Sequence, residues 1–294
     1  MNNTKKLLIG LLSITSLHNY TYTEEKELRY DFNAPEKKIV IVIPSYNNIK
    51  WLTQCLGSVK AQCYNNFEVI YINDCSTDRT KHLTKKYIKH YDLENKFKLI
   101  SNEKRVGALA NLYKAIHSCQ NEDIIVLLDG DDWLAHPFVL KIINSVYQDP
   151  NVWLTYGQFM SIPECTRGFC REFSDNIILN NYFRKTHFPV SHLRTFYAGL
   201  FKLIKFKDLI YEGDFYQMTW DKAIMLPMIE MARERHKYIE DVLYHYNNSN
   251  PLNDHKVDQK LQMDLHHQIL SKKPYHKTSW ENIINAATKI QVSE

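Results

Sequence analysis

Glycine is scarce in this chain, at 8 of 294 residues. None of the eight builds a GxxxxGKS/T loop, and no GxGxxG follows the first apolar segment. Both loops use glycine to bring backbone N–H groups against phosphate, so a P-loop kinase and a nicotinamide-type enzyme are set aside. A nucleotide diphosphate bound here would need its charge offset by a cation instead. Zinc-binding patterns are missing too. The six cysteines, at 55, 63, 75, 119, 165 and 170, form no CxxC pair, and no Cys/His cluster has zinc spacing. Cys55, Cys75 and Cys119 fall inside apolar segments and read as small buried hydrophobes. Cys165 and Cys170 flank "TRGF" and are a candidate disulfide. There is no long basic run, and a net charge of +4 is too mild to argue for nucleic acid. Repeats and low-complexity tracts are absent as well.

What is present is an ordinary globular composition, 44% apolar and 24% charged. Lys5 and Lys6 precede "LLIGLLSITSL", an 11-residue apolar run. That length suits a signal-peptide core and falls short of the ~20 residues of a spanning helix. Residues 1–22 are therefore expected to be a signal-like or anchor segment, and 23–36 a polar linker. From there "KKIVIVIPSYNN" predicts a strand stopped by Pro44, "FEVIYINDCSTD" a second, "FKLISNEKRVG" a shorter third and "DIIVLLDGDDWL" a fourth. The intervening helices carry Leu52, Cys55, Leu56 and Val59, then Leu83, Tyr87, Ile88 and Tyr91, then Ala108, Leu112, Ala115, Ile116 and Cys119. Continuously apolar strands alternating with helices predict an α/β fold, a Rossmann-like, mostly parallel sheet flanked by helices. Ligands of such sheets bind outside the carboxyl ends of the strands, here "PSYNN", "NDCSTD" and "DGDDW".

Beyond Asp149-Pro150 the rhythm loosens. "VWLTYGQF" alternates like an antiparallel or edge strand, and "FYAGLFKLI" fits a strand or a helix. "WDKAIMLPMIEMARER" reads as a helix kinked at Pro227, and "KYIEDVLYHYN" as a last strand. The expected organisation is a first half over 37–150, a smaller mixed half over 151–250 and a polar, His-rich helical tail over 251–294.

Asp129, Asp131 and Asp132 put three carboxylates into four positions at the end of a buried strand. Like charges this close raise each other's pKa. One aspartate is explained by capping the next helix, but three exceed that need. A divalent cation with a bound diphosphate would neutralise them, since hard cations prefer carboxylate oxygen. Asp74, after the second strand, either accepts from a base or ribose or makes an Asx-turn. Asp78 reads as the N-cap of the following helix.

"IVIPSYNN", "YINDCSTDRT", "NEKRVGALAN" and "LLDGDDWL" occur in the order and spacing of family 2 glycosyltransferases, and residues 38–135 resemble that family. The resemblance implies the GT-A fold, with 37–150 as the nucleotide-sugar donor half and 151–250 as the acceptor half. It implies Pro44, Tyr46 and Asn47 around the nucleotide base and Asp74 on uracil or ribose. It makes Asp129, Gly130 and Asp131 a D-x-D element for metal and diphosphate, with Asp132 positioning the donor sugar. The family's Arg-Asn after the glycine of the third motif survives only as Asn111, and Lys104 or Arg105 stands near the missing arginine. The catalytic base corresponds to Asp221, where Trp220 replaces the family's glutamate; an N-cap role for Asp221 is compatible with it. Glu230 is the second choice. Some members add a late histidine to the metal shell, which corresponds to His245, with His255 a rival. His192 and Arg194 in "SHLRTF" either face acceptor or donor phosphates or are structural.

The implied reaction is inverting, hexosyltransferase-like transfer from a nucleotide-diphosphate sugar, expected to be a UDP-sugar, to a hydroxyl on a glycan, lipid or protein. Mn2+ or Mg2+ is the implied cofactor, and no nucleic-acid partner is expected. The alternative is a degenerate GT-A scaffold that binds nucleotide sugar or glycan without turnover. A nucleotidyltransferase would carry a Gly-rich basic loop after the first strand, and "PSYNNIKW" is not one. The signal-like N-terminus points to a secretory or membrane-associated location, peripheral association included. Nucleotide sugars are made in the cytosol, which keeps a cytoplasmic location as the alternative.

Overall fold

The computed structural model describes residues 29–287, so the expected signal-like segment at 1–22 lies outside the described residues. Strand β1 (Ile39–Ser45) is buried along its whole length. It runs parallel to β2 (Phe67–Asn73) on one side and β4 (Ile124–Leu127) on the other, with Ile39 beside both Phe67 and Ile124. β3 (Phe97–Ser101) extends the parallel set beyond β2. The crossovers are α1 (Leu52–Lys60), α2 (Thr80–His90) and α3 (Ala108–His117). Leu52, Cys55, Leu56 and Val59 are the buried face of α1, as their i, i+3, i+4, i+7 spacing predicts. α2 starts beside Asp78, whose Oδ1 accepts from Thr80 N–H at 2.8 Å.

A two-residue strand, β5 (Trp133–Leu134), and α4 (Val139–Val146) lead into the second half. Here the sheet turns mixed. β8 (Arg194–Tyr197) lies antiparallel to β4, with Arg194 opposite Leu127. β6 (Leu154–Ile162) is antiparallel to β8 and parallel to β11 (His236–Asn247), and β5 closes the far side against β11. The strand order is β3-β2-β1-β4-β8-β6-β11-β5, with β7 (Thr166–Arg167) attached to β6. One sheet therefore runs through both halves. β9 (Ile210–Tyr211) and β10 (Asp214–Phe215) form a small separate hairpin.

Of the two options for β6, the antiparallel one holds through its pairing with β8, and the edge one does not. Its first six residues are all buried between β8 and β11, so its alternation marks no solvent face. "FYAGLFKLI" resolves into both options, because β8 ends at Tyr197 and the short helix α6 (Ala198–Lys202) starts at once; α5 (Asp175–Asn180) precedes them. α7 (Trp220–Ala232) continues through Pro227 and is buried from Ala223 onward on every side. The tail holds α8 (Asp254–Val257), α9 (Gln259–Ser271) and α10 (Trp280–Ile284). Side chains cap the last two: Asp258 accepts from Leu261 N–H at 2.9 Å, and Ser279 from Asn282 N–H at 3.2 Å. The tail is docked on the body. A Cβ on Gly199 would lie 2.1 Å from the Ile283 carbonyl oxygen, and the Trp280 ring sits 4.9 Å from that of Tyr197. All six cysteines are free, with Cys170 buried and Cys165 exposed, so the candidate disulfide is not formed. No helix among the described residues is long and apolar enough to cross a membrane.

Candidate active site at the strand ends

The parallel register aligns the carboxyl ends of the first strands: Ser45 lies beside Asn73, and Asn73 beside Ser101. The polar turns after β1, β2 and β4 meet at that edge around a cleft of about 300 Å3. The start of α7, the end of β11 and α9 supply its other side.

On the first side, Pro44 and Tyr46 line the cleft. Asn47 does not, which departs from the expected base contact. Its backbone is left-handed (φ 54°), its Oδ1 accepts from Thr77 N–H at 2.8 Å and its Nδ2 donates to Thr77 Oγ1 at 3.1 Å. The side chain is spent joining the β1 turn to the β2 turn. Its neighbour Asn48 lines the cleft instead, 4% exposed and with Oδ1 lacking a partner. Asp74 is buried at the cleft wall. Its carboxylate accepts from Asn102 Nδ2 at 2.7 Å, Val106 N–H at 3.0 Å and Gly107 N–H at 2.8 Å. It therefore braces the β3–α3 loop rather than its own strand exit. That loop carries Arg105, whose guanidinium lies 4.0 Å from the Tyr46 ring; both line the cleft. Asn111 is buried, accepts from Asn102 through Oδ1 at 2.7 Å and leaves Nδ2 unpartnered at the cleft.

The three acids of the β4–β5 turn separate into different roles. Asp129 and Asp131 line the cleft, and Asn250 Nδ2 donates to Asp131 Oδ2 at 2.6 Å. Asp132 also borders the cleft but is only 1% exposed. Its oxygens accept from Asn247 N–H and the Tyr244 hydroxyl, each at 2.6 Å. Both bonds hold the turn to β11, a structural use beside the expected donor-sugar positioning. Burial, then the nearby charges of Asp131 and Asp129, push the Asp132 carboxyl well above the usual carboxylate range. Burial raises Asp131 as well. Gly130 is not among the lining residues: a Cβ there would lie 2.6 Å from Ser45 Oγ, so its part is close packing of the turn on β1.

His245 is turned away from the acids. Successive side chains of a strand point to opposite faces. Tyr244 reaches Asp132 and Tyr246 lines the cleft, so the intervening His245 faces the other way, its Nδ1 accepting from Trp133 Nε1 at 2.8 Å. The side chain of His255 lies outside the described residues. The histidine that does approach is His192: one ligand atom each from Asp129, Asp132 and His192 lie within 4.8 Å of one another. Burial, reinforced by the Arg194 charge, pulls its imidazole well below the usual histidine value and keeps it neutral.

Asp221 stands in the first turn of α7, its side chain 31% exposed, and accepts from Arg194 Nη2 at 3.0 Å through Oδ2. Arg194 is 4% exposed, lies 5.7 Å from the Trp220 ring and has no partner for Nε. It links the strand edge bearing the acids to the helix bearing Asp221. Glu230, on the same helix, is 0% exposed. It accepts from Arg184 Nε at 2.6 Å and Nη2 at 2.9 Å and from Tyr275 N–H at 3.0 Å. It does not reach the cleft, which removes it as second choice for the base.

The model for "Glycosyl transferase family 2" matches residues 40–210, more than half of the chain. The chain belongs to glycosyl transferase family 2. It is similar to glycosyltransferase GlyG of Streptococcus pneumoniae serotype 4, 25% identical over 219 residues that cover 71% of this chain and 70% of that one. It spans only about a fifth to a third of several other curated relatives that it matches. Staphylococcus aureus TarS 1–349, solved in complex with UDP, has a TM-score of 0.54 at 20% identity, covering 85% of this chain and 66% of that one. Mannosyltransferase PcManGT from Pyrobaculum calidifontis, solved with GDP-Man and Mn2+, has a TM-score of 0.52 at 19% identity, covering 80% and 66%. These likenesses bear out the GT-A fold.

Several residues of this family 2 site escaped the sequence reading. Asn250 and Asn253, just after β11, line the cleft, as does Gln262 of α9. The Thr219 hydroxyl donates to the Gln262 carbonyl at 3.2 Å, tying the tail to the start of α7. The only signal was the asparagine-rich "NNSNPLND" after the last strand. Polar residues there read as a simple strand exit until the sheet brings β11 beside β5.

Proposed function

We propose that this chain transfers a sugar from a nucleotide-diphosphate sugar to a hydroxyl acceptor, with inversion at the anomeric carbon. The observation that carries the reading is that Asp129, Asp131 and Asp221 line one cleft at the carboxyl ends of the parallel strands. A UDP-sugar is the proposed donor, by likeness to a relative solved with UDP. The donor's nucleoside would lie along Pro44, Tyr46 and Asn48, with Asp74 holding the β3–α3 loop in place behind it. The unpartnered Nδ2 of Asn111 is a donor for a ligand oxygen. The acceptor hydroxyl belongs to a glycan, lipid or protein and enters from the side of Trp220 and Tyr246.

The acids fit a divalent cation, Mn2+ or Mg2+. Asp131 and Asp132 have raised pKa values and pair with no cationic side chain among the described residues. Such a cation would serve as the Lewis acid that stabilises the leaving diphosphate. The protein's own part is to hold the donor and to move a proton. The Arg194 guanidinium fixes Asp221 through Oδ2, and Oδ1 is left to take the proton of the attacking hydroxyl.

The test is transfer from UDP-sugars in the presence of Mn2+, comparing the protein with Asp221→Asn. The variant is expected to lose about 10^2–10^4-fold in rate, with calorimetric affinity for UDP unchanged. Full activity in the variant would remove Asp221 as the base. UDP binding without transfer from any donor would favour the binding scaffold over the enzyme.

A further inference from the structure

We infer that the acceptor is a glycan chain of several sugar units, and that Phe169 forms an outer subsite for it beside the cleft. This deepens the reading above and rests on transfer to a hydroxyl that enters past Tyr246. An aromatic track leads out of the cleft on that side. Tyr246 lines the cleft, and its ring lies 5.9 Å from that of Phe159. The Phe159 ring is in turn 5.8 Å from that of Phe169, just after β7. Phe169 is 57% exposed, more than any other aromatic side chain among the described residues.

The backbone under Phe169 is fixed. Gly168 N–H donates to the Phe159 carbonyl at 2.8 Å, and a Cβ on Gly168 would lie 2.3 Å from Phe159 Cε1, so this backbone packs directly on that ring. Arg167 Nη2 donates to the Glu240 carbonyl at 2.7 Å, and Glu164 accepts from Asn248 Nδ2 at 2.9 Å. Both bonds tie the hairpin to the end of the sheet that carries Tyr246. A ring held out by ordered backbone loses little further freedom when it binds.

Its surroundings select the occupant. A pyranose has an apolar C–H face and a rim of hydroxyls, so it suits an aromatic face set among polar groups. Phe169 is flanked in the chain by Glu164, Arg167 and Arg171, and its ring lies 6.2 Å from that of His187; all four are exposed. From 160 to 178 no other large hydrophobic residue is exposed. A bilayer selects a contiguous apolar face with excess positive charge. Here Glu164 and Glu172 balance Arg167 and Arg171. A folded protein partner would bury about 800 Å2 of this side around an apolar centre, which a single ring does not supply.

The experiment screens the full chain, with UDP and Mn2+, on an array of mono- and oligosaccharides, and then titrates the best-bound oligosaccharide and its terminal monosaccharide in solution. The oligosaccharide is expected to bind at least about tenfold more tightly than the monosaccharide. Phe169→Ala should weaken the oligosaccharide about tenfold and leave the affinities for the monosaccharide and for UDP unchanged. Phe169→Tyr should keep the parent's values. In turnover, Phe169→Ala should raise KM for the oligosaccharide with kcat unchanged. An oligosaccharide bound no more tightly than its terminal unit would overturn the inference, and this result needs no variant to fold. Equal oligosaccharide affinity in the parent and Phe169→Ala would overturn it as well. So would transfer to lipid-borne or protein hydroxyls with no glycan bound, an outcome that leaves the transferase reading intact. Failure to bind UDP with Mn2+ would count against both.

Discussion

An added Cβ at Gly130 would lie 2.6 Å from both Cβ and Oγ of Ser45. At Gly57, inside α1, the nearest atom would be the Tyr87 hydroxyl at an ordinary 3.8 Å. Opposite outcomes follow from the same substitution. Gly130→Ala should destabilise by about 1–3 kcal/mol, because the turn has no room. Gly57→Ala should stabilise by about 0.4–1 kcal/mol, because alanine restricts the unfolded chain. Urea denaturation of the two variants checks this, and equal signs would contradict it. At this scale the sequence was only partly legible. Pro44, Tyr46, Asp74, Asn111 and the three acids all border the cleft. Asn47 and Asn48 are adjacent and chemically identical, and only the left-handed backbone at Asn47 decides which one faces the cleft. His192 and His245 divide likewise by strand parity and stacking, which a residue type does not encode.

α7 carries two acids nine residues apart, and its packing separates their uses. Asp221 is in the open first turn; Glu230 is enclosed with Arg184, which also donates to the Ile269 carbonyl, and with the backbone of Tyr275. Glu230 thus locks α7 to the tail. Glu230→Gln breaks a buried ion pair and leaves a guanidinium unpaired, so it should cost about 3–5 kcal/mol. Chemical denaturation measures this. A stable variant that has merely lost activity would restore Glu230 as a candidate base. The first-half elements were readable because continuous apolar strands and 3.6-residue helical faces are strong signals there. The edge option for β6 failed, while the antiparallel one held, because burial between two strands erases the link between alternation and an exposed face. The β8–α6 junction was ambiguous because strand and helix share one apolar run.

Across the whole molecule, one sheet joins the two halves and the tail closes the cleft, so pH acts on the fold through groups far apart in sequence. His236 is buried among Tyr156, Phe173 and Phe183, and burial lowers its pKa below the usual 6.5. Between its folded value and about 6.5 the unfolded chain binds more protons, so stability rises with pH and is lost as pH falls through that window. His117 and His192 act in the same direction, whereas Asp131 and Asp132, with raised values, lose stability as pH rises. His236→Phe removes one histidine contribution. Its melting temperature should fall less than the parent's between about pH 7.5 and 5, and identical falls would contradict the assignment. The four-strand parallel core was legible from sequence; the way β8, β6, β11 and the tail complete the cleft was not, because those contacts join segments from 40 residues apart, between β6 and β8, to 112, between β5 and β11. The central claim is that the acids at the strand ends form, with a cation, a nucleotide-diphosphate site. It is tested most directly by calorimetric titration of UDP into the protein with and without Mn2+, beside Asp129→Asn. The account predicts Mn2+-dependent binding that the substitution abolishes. UDP binding that is indifferent both to Mn2+ and to Asp129 would contradict it.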